Sequence, residues 1–359
     1  MSEKREPWID AARGLLIVLV VLGHAFGTAY HLASDRGAAH VSQMIYKSIY
    51  MFHMPAFFVL AGVTWSAGQC GFLRYIRKKA LRLLIPYFAF GLMSIALYFV
   101  CQVLGAGLGA SSNGYYGAGA CNSLVSELLR LVRGDACSLN SPLWFLPCMF
   151  IVELLYYWVN KFLPIGRVAY HAPILMLMLL VSWMLIGVRV LVLPEWWTRV
   201  PVFLAMMHVG RLGVGKQGLD VIEMGGPSAR LAVCLFAVIY FSVCWCLPWE
   251  ALFHGVLPYF GYRIWALMGA FVVFFVAQTF SARTICRVGV ASLGVLVLHK
   301  FPLAIVQLKT PLFFQGSELV TISLTFLLGI MVVVVCVFVS SKIETFLPIA
   351  FGKSDRRNP

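Results

Sequence analysis

Across 359 residues, 61% are hydrophobic and only 12% charged, with a mean hydropathy of +0.88. A soluble domain carries roughly 25% charged residues, so this chain cannot clothe itself in a polar shell, and a membrane protein is the first class it implies. The formal charge of +14 does not indicate nucleic acid, because the basic residues sit in short connections between apolar runs, where positive-inside topology accounts for them.

The N-terminus starts like a signal peptide, with Lys4 and Arg5 before an apolar run. Asp10, Arg13 and His24 spoil a cleavable core, so an uncleaved first span is expected. Apolar segments follow at 14–33, 44–66, 83–106, 142–160, 172–194, 198–213, 229–248, 264–280, 289–308 and 319–341. They predict an all-α bundle of about ten transmembrane helices forming one domain over 1–348, with 349–359 as a short basic tail. Arg74, Arg77, Lys78, Lys79 and Arg82 crowd the second connection. Placing that run in the cytoplasm puts both termini inside and leaves every inside connection with basic residues. The Gly- and Ser-rich stretch at 107–141 then faces the opposite side, as a lid, an acceptor platform or a plain tether. Cys121 and Cys137 lie in it and would pair only if that side is oxidising. The other cysteines are scattered without metal-ligand spacing, and no metal is expected.

Ionisable residues inside the apolar segments are the informative ones, since each costs roughly 2–3 kcal/mol or more at the bilayer centre. Counting 1.5 Å per residue from the start of each span places His24, His53, Glu153, His208 and His299 about 14–16 Å deep, on five different spans. A shared polar cavity explains one level better than five separate packing accidents. Each residue also has a bland reading: a single histidine in a span is often a hydrogen-bonded core residue, and for Glu153 the favoured reading is a structural partner of a Trp or Arg.

In order along the chain stand Asp10-Ala-Ala-Arg13-Gly14 followed by His24, then Tyr50-Met-Phe-His53-Met-Pro55-Ala-Phe57-Phe58, then Lys79-Ala-Leu-Arg82 leading to Pro86-Tyr87. Trp144-Phe145-Leu146 with Glu153, and Leu298-His299, complete the set. This series resembles the acyltransferase-3 family of integral membrane acyltransferases, in the branch of fucose 4-O-acetylase-like exopolysaccharide acetyltransferases. It departs by Lys79 where the family has Arg, and by lacking a tyrosine near His299. The resemblance implies an O-acetyltransferase of the bacterial inner (plasma) membrane that takes acetyl-CoA as donor and a sugar hydroxyl of an exopolysaccharide, O-antigen or lipid-linked glycan as acceptor. It implies His24 as base or acyl carrier, with Arg13 orienting the thioester or its oxyanion. Asp10 would hold Arg13, Lys79 and Arg82 would grip CoA phosphates, and His53, Trp144, Glu153 and His299 would line the substrate site. The rival class is a secondary transporter or translocator of a lipid-linked sugar, which also uses ionisable groups at mid-membrane. A structural membrane protein without chemistry is the third, and leaves the histidines unexplained.

Overall fold

The computed structural model describes residues 6–66, 71–103, 123–135, 138–162, 168–213, 227–246, 255–309 and 314–353. Among these, regular structure is entirely helical. In chain order the helices are α1 (Pro7–Leu32), α2 (Arg36–Val63), α3 (Phe72–Val103), α4 (Leu124–Arg133), α5 (Phe145–Phe162), α6 (His171–Met184), α7 (Val200–Gly213), α8 (Pro227–Cys246), α9 (Val256–Thr279), α10 (Arg283–Val290), α11 (Ser292–Leu298), α12 (Lys300–Lys309) and α13 (Glu318–Phe346). Cys121 and Cys137 lie outside the described residues.

Local sequence sets several of the ends. Pro7 opens α1, where its fixed φ suits the first turn and its missing N–H is not needed. Asp35 caps α2, its carboxylate accepting from the Ala38 amide at 2.8 Å. Ser123 caps α4, which stops at Gly134, whose φ of +92° only glycine adopts freely. Helix α3 starts eleven residues before its apolar segment because Arg, Lys, Leu and Ala all favour helix, so the basic run forms its opening turns.

Every one of the ten apolar segments carries a helix, and these differ in length. Among the described residues, six helices are long and apolar enough to cross a bilayer: α1, α2, α3, α5 with the 3₁₀ turn before it, α9 and α13. A seventh arises if α10 and the following stretch, Ser292–Val306, which meet at a 61° bend, form one broken span. Helices α6 and α7, of 14 residues each, rise only about 21 Å against a hydrocarbon layer of about 30 Å. The 172–194 segment stops being helical after Met184, where Gly187 turns to φ +78° and Pro194 follows. Large apolar side chains such as Leu327, Val334 and Phe338 on α13 face outward, a surface that suits lipid and not water.

At the centre, α1 packs against α2, α9, α10 and α13. Its contact with α10 is made through bare backbone. A Cβ on Gly289 would lie 1.8 Å from the Asp10 carbonyl oxygen, and one on Gly14 would lie 2.1 Å from that of Ile285. The same device joins α2 to α7 through Gly62 and Gly210. Such small-residue contacts replace the hydrophobic drive that lipid surroundings remove. After α13 the turn Pro348–Phe351 packs onto α3, with Phe351 buried against Phe90.

Candidate active site

Helices α1, α2 and the broken span bring His24, His53 and His299 into one cluster. The His24 and His299 rings lie 5.1 Å apart, centroid to centroid. Tyr50 completes the group: its hydroxyl is 3.0 Å from Nδ1 and 3.2 Å from Nε2 of His24, and its ring meets that of His53 at 4.7 Å. Tyr50 and His53 share a face of α2 because three residues are nearly one turn. His24 keeps part of its surface exposed, whereas His53 and His299 are buried.

Hydrogen bonding fixes how two of the imidazoles are presented. Nδ1 of His53 lies 2.9 Å from the Ile49 carbonyl, and Nδ1 of His299 lies 3.0 Å from that of Val295. A carbonyl only accepts, so each Nδ1 carries the proton and each neutral ring keeps its lone pair on Nε2. Among the described residues, Nε2 of His299 has no hydrogen-bond partner although it is buried. A buried polar atom left in that state costs on the order of 1–3 kcal/mol, which a reacting group or ligand would offset. Lys300 is buried beside His299, within electrostatic range of both His24 and His299.

Arg13 sits one turn from Asp10 and pairs with it at 3.4 Å. It stands eleven residues before His24 on the same helix, a rise of about 16 Å. Arg74, Arg77, Lys78 and Arg82 are exposed on the opening turns of α3. Lys79 is committed elsewhere, to an ion pair with Glu153. Tyr75 donates to the same carboxylate at 3.3 Å, and Trp65 donates to Tyr75 at 3.1 Å. Glu153 therefore anchors α3 to α5, and its contacts are not with the histidine cluster. His208 belongs to this second network: its ring bonds Tyr156 at 3.1 Å and His171 at 3.1 Å, while Trp65 packs edge-on against Tyr156. Trp144 stacks towards Phe203 and lies under the Arg199 guanidinium, 5.9 Å from the ring centre.

The residues that sequence reasoning missed are Tyr50, Lys300 and His171. Tyr50 stood one turn before His53, and Lys300 directly followed His299, so helical spacing and adjacency were the available signals. Among the described residues, no group of three or more His, Cys, Asp or Glu side chains is placed to hold a metal ion.

A stretch of 87 residues is 34% identical to the nodulation protein NolL of Sinorhizobium fredii, covering 24% of this chain and 23% of that protein. A stretch of 87 residues is 33% identical to the nodulation protein NolL of Mesorhizobium japonicum, covering 24% and 22%. The similarity thus spans less than a quarter of either relative. No solved structure matches the chain. The model of the acyltransferase domain family, by contrast, matches residues 6–341, which takes in every helix that builds the site. This multi-pass membrane protein belongs to the acyltransferase-3 family.

Proposed function

We propose that the protein transfers an acyl group, acetyl first among them, from acyl-CoA to a sugar hydroxyl of an exopolysaccharide, O-antigen or lipid-linked glycan at the bacterial plasma membrane. One observation carries this reading: a partly exposed imidazole, His24, is held by the Tyr50 hydroxyl and faces a second imidazole inside the helical bundle. Histidine is the side chain whose ordinary pKa lies nearest neutrality, which suits it to pass a proton twice in one turnover.

In the proposed reaction, His24 takes the proton of the acceptor hydroxyl as its oxygen bonds to the thioester carbonyl carbon. The tetrahedral adduct collapses with loss of the C–S bond, and the departing CoA sulfur takes that proton back from His24. Negative charge on the adduct oxygen needs a cation at hand. Lys300 suits this better than Arg13, which stands about 16 Å along α1 from His24. Arg13 and the exposed basic turns of α3 suit the donor's phosphates, at the other end of the CoA molecule.

The test is purified protein in nanodiscs with acetyl-CoA and candidate glycans, read as free CoA thiol and acylated product. Acceptor-dependent CoA release, lost in His24→Ala, supports the reading. Movement of a lipid-linked sugar across the disc with no CoA released would replace it by the translocator. Labelled acetyl-CoA without acceptor separates the two chemical routes, because only an acyl carrier leaves label on the protein.

A further inference from the structure

A polar cavity lies between α4, the turn before α5 and the segment leading into α7. Its volume is about 170 Å³, room for five or six waters at ~30 Å³ each. That is enough for one sugar ring and too little for the nucleotide of CoA. We infer that this cavity binds a single neutral sugar residue of the acceptor. The inference rests on the glycan-acceptor reading above and adds where, and by what chemistry, that acceptor is recognised.

The walls are rigidly built. Arg133 pairs with Asp135 and donates to the Leu191 carbonyl at 3.0 Å. The other oxygen of Asp135 accepts the Glu195 amide at 2.9 Å, and the Trp196 indole donates to the Gly134 carbonyl at 2.8 Å. These bonds lock α4 to the segment before α7. What they leave for a ligand is the Trp144 ring, the Arg199 guanidinium and the Glu195 carboxylate, all on the cavity wall. Arg199 and Glu195 are exposed, and among the described residues neither side chain makes a hydrogen bond or ion pair; the Trp144 ring lies beneath Arg199.

Charge distinguishes the ligand. Arg130 is matched by Glu127 at 3.3 Å and Arg133 by Asp135, so Arg199 and Glu195 remain as one cation and one anion. A phosphate site would carry surplus positive charge. A balanced pair beside an indole suits a neutral polyol, with hydroxyls donating to the carboxylate and accepting from the guanidinium while a C–H face lies on the ring. The cavity is also tied to the reaction centre. Asn140, on the connection between Asp135 and Trp144, donates to the Val297 carbonyl at 2.8 Å, two residues before His299. The Oδ1 of that buried Asn140 has no hydrogen-bond partner among the described residues.

Saturation-transfer NMR on the full chain in nanodiscs tests this with methyl glycosides of glucose, galactose, mannose and fucose, and with glucuronate as the anionic control. At least one neutral glycoside should bind saturably without competition from CoA. Glu195→Gln and Arg199→Gln should each weaken it about tenfold or more, while CoA binding is unchanged. No binding of any neutral glycoside, binding retained in both variants, or displacement by CoA would each overturn the site. The two readings fail separately. Sugar binding without acyl transfer to any glycan removes the proposed reaction and leaves the cavity's role standing. Glycan acylation with an unchanged acceptor KM in both variants does the reverse.

Discussion

At His24 the imidazole can be removed without leaving a buried charge behind. His24→Ala should therefore express and melt much as the parent does, while turnover falls by the roughly 100-fold or more that a positioned acid–base group supplies. Tyr50→Phe deletes only the hydroxyl that touches His24. One hydrogen bond is worth about 1 kcal/mol, so single-turnover rates should drop roughly five- to tenfold. Glu153→Gln should behave differently, lowering stability by about 3–5 kcal/mol because it strands the Lys79 ammonium in a poorly hydrated place. Lys79→Met with Glu153→Leu should recover most of that loss in a thermal melt, and recovery would mark the pair as an anchor. The cluster of His24, His53 and His299 was legible in the sequence because imidazoles in apolar spans are conspicuous. Glu153 and His208 were conspicuous too, yet they belong to another network. Counting residues along a span gives depth, and depth says nothing about which way round the bundle a side chain lies.

For helices, the sharpest forecast concerns glycines that look alike in the sequence. Gly289→Ala would push a methyl group into the Asp10 carbonyl, and overpacking of this kind costs about 1–3 kcal/mol. Activity should fall with it, since α10 leads into the stretch that carries His299. Gly261, inside α9, has nothing within 4 Å of its missing Cβ, so Gly261→Ala should hold or slightly raise the melting temperature, by helix preference alone. Hydropathy found all ten apolar segments but not their interruptions. The bend around Ala291 has no proline or glycine at that position to announce it, although Ala291 leaves the helical region at φ −87°, ψ 5°. The helical start of α3 was hidden for a related reason, since basic residues read as a connection whether or not they are coiled.

Seen as a whole, the molecule puts its densest exposed positive charge, Arg74, Arg77, Lys78 and Arg82, at one end of one long helix. Reporter fusions after Lys79 and Lys353 should read cytoplasmic, and one near Asn113 extracytoplasmic; the opposite result at Asn113 would undo the proposed donor side. Exchanging Arg77 and Arg82 for Gln should raise the KM for acyl-CoA without changing the maximal rate. Added salt should produce the same effect in the parent, because exposed charges are screened over about 8–10 Å at physiological ionic strength.

The bare contact between Gly14 and Gly289 has a consequence for timing. With backbone against backbone at Gly14 and Gly289, the turns around Asp10–Gly14 and Ile285–Gly289 should separate together. Their amides should form one cooperative unit in hydrogen exchange, opening with a single free energy. Gly289→Ala should speed exchange on both helices equally, although only one has changed. Entry and departure of substrates then fall to other joints of the bundle, and a turnover limited by product release would leave the exchange rates of this pair untouched.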